Sequence, residues 1–129
     1  MPPPIPTCKA ILLCQKTIVE EGTGVVSLIG IFDNYSIDGD GLTPAVEAFC
    51  QITSACGEYN LTVEIHDLQT GNKVATGEGG KIEIEDRLMR ANVIIPIPRI
   101  PFQHAGLYDF VVLANGNEID RQKFGVTKG

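Results

Sequence analysis

The strongest constraint on the fold is a strict period of two. From Glu58 to Asp67 the residues Tyr59, Leu61, Val63 and Ile65 alternate with Glu58, Asn60, Thr62, Glu64 and His66. Successive side chains of a β-strand point to opposite faces, so this run predicts a strand with one buried and one wet face. Lys81 to Glu85 repeats the pattern, and Leu107 to Ala114 sets Tyr108, Phe110, Val112 and Ala114 on one face. No stretch sustains an apolar period of 3.6; Glu85 to Ala91 is the one segment that leaves room for a helix.

Further strands are expected over Cys8 to Gln15, Val25 to Ile31, Val46 to Thr53 and Ala91 to Ile97, all rich in β-branched or apolar residues. Gln69 to Asn72 supplies turn residues before a hairpin return at Lys73. Asn115-Gly116 joins the last two strands, and Asn-Gly between strand-like runs is a strong hairpin signal. Ile119, Phe124 and Val126 do not share a parity, which predicts a β-bulge between Asp120 and Lys123. Gly77 to Gly80 reads as a flexible turn. Pro96, Pro98 and Pro101 cannot donate ladder hydrogen bonds, so Ile97 to Phe102 is expected at a sheet edge or crossing.

About eight short strands without intervening helices predict an all-β, two-sheet antiparallel sandwich. Tyr108, after Gly106 at the start of a late strand, resembles the tyrosine corner of immunoglobulin-like folds, with Phe110 pointing inward beside it. Residues 1–7, with Pro at 2, 3, 4 and 6, form an extended lead-in, and residues 8–129 a single domain.

A chain of 129 residues, 43% hydrophobic and 20% charged, is long and apolar enough to bury a core without metal or disulfides. The net charge of −6 comes with no basic cluster, which leads to the expectation that nucleic acid is not a partner. No window approaches the ~20 apolar residues of a membrane span. The N-terminus lacks a basic region before an apolar run, so a cytoplasmic protein with reduced thiols is expected.

Lys9 to Cys14, Ser27-Leu28-Ile29-Gly30-Ile31-Phe32-Asp33, and Gly106-Leu107-Tyr108-Asp109-Phe110 followed by Asn115-Gly116 together resemble an uncharacterised family of small bacterial all-β proteins. In that family a strand ending in Cys, an S-L-I-G-x-F strand and a closing G-x-Y-x-F hairpin recur in this order. The resemblance covers almost the whole chain and implies a structural role for its motifs, including Gly30. It implies no activity. Gln15 stands where the family has an acidic residue, so position 15 is given no role.

Four cysteines form two C-x5-C pairs, Cys8/Cys14 and Cys50/Cys56. On straight strands the members of a pair lie ~20 Å apart, beyond the ~7 Å of a disulfide, and structural zinc sites use a tighter knuckle. Cys14 shares parity with Leu12 and Ala10, and Cys50 with Val46, Ala48 and Ile52, so both are read as buried core thiols. A Cys14–Cys50 cross-strand disulfide is the alternative.

The stretch Asp33 to Gly41 offers Asp38 and Asp40 as metal candidates, but its spacing departs from the calcium loop and turn chemistry explains it. No catalytic residue and no cofactor site emerges. Neither His66 nor His104 has a serine and an acid at recognisable spacing, and Gly77 to Gly80 lacks the ending of a phosphate loop. The reading is a non-catalytic binding or assembly module. The competing one is a small-ligand or metal-binding protein or enzyme, with Asp38, Asp40 and His104 in the loops at one end. Ile11, Leu13 and Phe49 fall opposite the expected core faces, which points to a second buried surface, and exposed apolar residues in the first strand and around Pro96 to Phe102 offer edges to another chain, so a homodimer through strand faces or edges is expected.

Overall fold

A computed structural model of the chain describes residues 3–37, 45–97, 99–102 and 104–128. These are all-β, with nine strands among the described residues: β1 (Thr7–Val19), β2 (Val26–Phe32), β3 (Asn34–Ile37), β4 (Val46–Thr53), β5 (Gly57–Asp67), β6 (Lys73–Ile84), β7 (Ala91–Ile97), β8 (Gly106–Ala114) and β9 (Asn117–Lys128). They form a four-stranded sheet of order β2-β1-β4-β7 and a five-stranded sheet of order β3-β9-β8-β5-β6. The five-stranded sheet curls into a half-barrel. No helix among the described residues is long and apolar enough to cross a membrane.

Both sheets feed one core. β4 delivers Val46, Ala48, Cys50 and Ile52, β5 delivers Tyr59, Leu61, Val63 and Ile65, and β8 delivers Tyr108, Phe110, Val112 and Ala114. The alternation read from the sequence is the alternation of burial. Phe102, Tyr108, Phe124 and Tyr35 pack edge-on, tilted or stacked at centroid distances of 4.6 to 6.1 Å.

Where parity fails, a bulge is the reason. β1 slips against β4 between Cys8 and Ala10, so Lys9 is the extra residue and the inward set becomes Cys8, Ile11 and Leu13. Ile11 and Leu13 therefore belong to the core and not to a second surface. Leu12 is exposed, and Cys14, buried on the other face, sits beside Glu47, whose carbonyl lies 3.6 Å from its sulfur. In the β8–β9 ladder the slip leaves Ile119 unpaired, just before the expected window, and turns it against the core.

Three other expectations change. Gly77 to Gly80 is no turn: β6 runs through it, with Gly79 bulged between the partners of Leu61 and Thr62. A Cβ on Gly79 would lie 2.9 Å from Leu61 Cβ and 3.1 Å from its carbonyl oxygen, so only glycine admits this approach. Asn34–Ile37, expected in a turn, is the ninth strand and pairs in parallel with β9. The segment after β6 is a turn rather than a helix, because Asp86 accepts from Leu88 N through its side chain and from Met89 N through its carbonyl.

Candidate functional site

Sheet edges present unpaired backbone donors and acceptors, and proteins blunt them with charge, proline or brevity. The described strands present four edges, and three are blunted. β6 carries Lys73, Glu78, Lys81 and Glu83 and a glycine bulge, β7 carries Pro96, and β3 is four residues long. β2 has none of these. Its sequence Val-Ser-Leu-Ile-Gly-Ile-Phe contains no charge and no proline, and its only ladder is to β1.

Beyond the core the β1–β2 pair continues as a two-stranded arm closed by a turn over Glu20 to Val25. Ile29 and Ile31 of β2 are 46% and 57% exposed, with Ile18, Val19 and Val25 exposed beside them. Gly30 has φ of +70°, and the Gln15 side chain lies where its Cβ would stand, so a substituent there would displace that cover. The arm is an open apolar edge. Its sequence signal was the absence of charge between Glu21 and Asp33.

At the opposite end of β5 from the Asn115-Gly116 turn, Asp67, Lys73, Val74, Pro101, Phe102, His104 and Tyr108 line a cleft of about 370 Å³. His104 Nε2 lies 2.6 Å from Asp67 Oδ2 and its Nδ1 2.8 Å from the Ala105 carbonyl. Both partners are acceptors, an arrangement that favours the doubly protonated ring. The carbonyl of Ala105 and the Asp67 carboxylate raise the affinity of His104 for its proton. Burial pushes the Asp67 carboxyl up, but hydrogen bonds from His104 and the Gln69 backbone outweigh it and hold it below the usual range. Both ring nitrogens are engaged, which fixes the orientation of the ring.

The remaining polar groups are paired locally. Arg121 bonds the buried Asp109 at 2.9 Å and also engages Glu118. Among the described residues no buried side-chain polar atom lacks a partner, and no three acidic, thiol or imidazole groups converge as metal ligands.

The singled-out residues fall as follows. Tyr108 donates to the His104 carbonyl, four residues upstream, at 2.7 Å, and Phe110 is buried beside it. Gly106 sits beside the His104 ring at the start of β8. Asn115 and Gly116 take positive φ in the hairpin turn, and Asn115 Oδ1 accepts from Asn60 N at 2.9 Å. Cys14 and Cys50 are both buried free thiols, and Cys14 lies opposite Glu47 and Ile31, not opposite Cys50. Asp38 and Asp40 lie outside the described residues.

Sequence reasoning passed over one exposed feature. The turn after β6 exposes Arg87, Leu88, Met89 and Arg90, with Leu88 90% and Met89 53% exposed.

Comparison with known proteins adds the family. Residues 9–127 match the profile described as a family of unknown function, DUF6941. The chain belongs to this family. Among curated proteins nothing matches. The DUF6941 chain is similar in structure to the alkylpurine DNA glycosylase AlkC of Pseudomonas fluorescens, solved bound to DNA containing an abasic site analog. The TM-score is 0.50 at 10% identity, over 91% of this chain and 30% of that one.

This likeness is one of fold, and it corrects an expectation. The acidic balance of the chain was read as excluding nucleic acid. A like fold occurs in a protein that is seen on DNA, so the exclusion does not stand. The second-surface argument for a homodimer also loses its basis, because two of its three residues, Ile11 and Leu13, are core, while the route through a sheet edge is untouched by this.

Proposed function

We propose that this DUF6941 protein is a non-catalytic docking module that takes an extended segment of a partner protein along the β2 edge. The observation that carries the reading is the contrast among the four edges: three are protected and the fourth is apolar, uncharged and open. Such an edge is an aggregation hazard unless it is covered, and strand addition covers it with main-chain hydrogen bonds while apolar pockets choose the sequence. The scaffold is read as an immunoglobulin-like sandwich of a cytoplasmic bacterial protein, in keeping with the Tyr108 bond and four unpaired thiols. The non-catalytic reading is supported by the doubly engaged His104 and by the paired state of the buried acids.

A photo-crosslinking residue at Ile29, with a control at Glu83 on the β6 edge, tests this in the native cell. One protein crosslinked at position 29 and absent at position 83 is the expected result. Equal or no adducts at both positions contradict it.

A second reading rests on the turn after β6. Arg87 and Arg90 flank exposed Leu88 and Met89, a pairing of phosphate-binding cations with apolar side chains that suits nucleic acid. The likeness to a DNA-bound protein supports it, and the neighbouring Glu85 and Asp86 oppose it. Fluorescence anisotropy with an abasic-site duplex at low salt tests it: salt-sensitive binding that Arg87→Ala/Arg90→Ala abolishes is the supporting result, and absence of binding removes the reading.

A further inference from the structure

The open β2 edge is bounded by acid at both ends. From Thr17 to Asp33 the chain holds three carboxylates, Glu20, Glu21 and Asp33, and no cation. Glu20 and Glu21 stand at the tip of the arm, where Glu20 N donates to the Val25 carbonyl at 2.8 Å, and Asp33 directly follows β2. All three are exposed, and among the described residues none of their carboxylates has an ion-pair or hydrogen-bond partner. By contrast Glu64, Asp67, Asp109 and Glu118 of the five-stranded sheet each hold a cation of this chain. Lys16 stands opposite Ile29, at the midpoint of β2. The strand has seven residues, roughly 23 Å of extended chain, whereas charge reaches only about 8 Å at physiological salt. Lys16 therefore leaves both acidic ends uncompensated.

The Asp33 end also has a shape. A cleft of about 340 Å³ opens there, walled by apolar residues of β1 and β2, among them Leu12, Ile31 and Phe32, with Asp33 and Gln122 as its polar groups. Apolar walls beside one unpaired carboxylate suit a side chain with an aliphatic stem and a cationic head, which is lysine or arginine.

We infer that the segment docked on β2 is an apolar strand with a lysine or arginine at each end and no cation at its middle, one end cation seating in the Asp33 cleft. This rests on the docking reading above and adds the chemistry of the partner. A cation at the middle of the segment would face Lys16. A second copy of β2 would bring acid against acid in either strand direction, so the charges that select a basic-ended partner also oppose pairing of β2 with itself.

Fluorescence anisotropy of the full chain with three labelled peptides tests this. Each has about nine residues, enough to span β2, with one shared centre of alternating valine and threonine and with ends of lysine, glutamine or glutamate. An exposed ion pair changes affinity by roughly 1.5- to 5-fold, so over three acids the lysine-ended peptide should bind about tenfold tighter than the glutamine-ended one, and the glutamate-ended one weakest. The order should flatten in about 0.5 M salt. Asp33→Asn and Glu20→Gln/Glu21→Gln should each remove part of the preference, and Glu83→Gln on β6 none. Equal affinity for the three peptides, reduced by Ile29→Asn/Ile31→Asn, overturns the charge assignment and leaves docking on β2 standing. Binding of none of them, or binding that Ile29→Asn/Ile31→Asn does not change, overturns both.

Discussion

His104 Nε2 and Asp67 Oδ2 lie 2.6 Å apart, while the other nitrogen of the ring is held by the Ala105 carbonyl. The ion pair ties the segment before β8 to the end of β5.

This pairing predicts a pH window. The His104 pKa is raised, so its contribution is complete below the ordinary value of 6.5 and is lost as pH rises through the raised one. The Asp67 pKa is lowered, so its contribution is complete above the ordinary 3.8 and is lost as pH falls through the lowered one. The difference in Tm between the native protein and His104→Ala should therefore be largest between about pH 4 and 6.5 and shrink on both sides. A difference that is flat from pH 4 to 9 contradicts the ion pair.

Tyr108→Phe removes the hydroxyl that donates to the His104 carbonyl at 2.7 Å without changing the ring packing. A loss of about 1–2 kcal/mol in urea unfolding is expected, the cost of one buried hydrogen bond. An unchanged midpoint would mean that water replaces the hydroxyl without loss.

Gly79 and Gly71 separate two reasons for glycine. At Gly79 an added methyl meets Leu61 at 2.9 Å and its carbonyl at 3.1 Å, whereas Gly71, with φ of +78°, has open space around it. Gly79→Ala should cost about 1–3 kcal/mol through overpacking, and Gly71→Ala about 1 kcal/mol through backbone strain alone. Equal costs in parallel denaturation curves would refute the close approach.

Much of the strand plan was legible because alternation survives wherever the ladders are regular. β4 and β7 run over the segments read from the sequence, and β5 starts one residue earlier. What failed did so at bulges. Lys9 and Ile119 each reverse the parity of everything beyond them, so Ile11 and Leu13 were assigned to the wrong face and the last bulge was placed too late. β3 escaped notice because four residues carry almost no periodicity and its parallel pairing with the distant β9 leaves no local mark. The β2 edge was legible as a strand but not as an edge, since strand order is a property of the whole chain. Asp67 and His104, 37 residues apart, had no signature at all.

The thiols follow the same logic. Cys8, Cys14 and Cys50 are buried, while Cys56 is half-buried at the turn between β4 and β5. Titration with a thiol reagent should find one reactive group in the native protein, mapped to Cys56, and four after denaturation under reducing conditions. Rapid native labelling of Cys14 would contradict the cover that Glu47 and its neighbours give it.

Ile29 and Ile31 are the exposed apolar residues on which strand addition would rest. Covering a Val- or Ile-sized side chain contributes roughly 1.5–3 kcal/mol when complete, and these are already half covered. Ile29→Lys/Ile31→Lys should therefore weaken binding of the partner captured at position 29 by roughly ten- to a hundredfold, with the Tm of the free chain almost unchanged. An undiminished affinity by calorimetry would move the interface elsewhere.

Amide hydrogen exchange of the chain, free and bound to that crosslinked partner, tests the docking claim most directly. The outward-facing amides of β2 are unpaired in the free chain, and strand addition gives each an acceptor. The expected result is new protection confined to Val26–Phe32, with β3, β6 and β7 unchanged. Protection that appears at the Arg87 to Arg90 turn or on another edge, with β2 exchanging as fast as before, contradicts it.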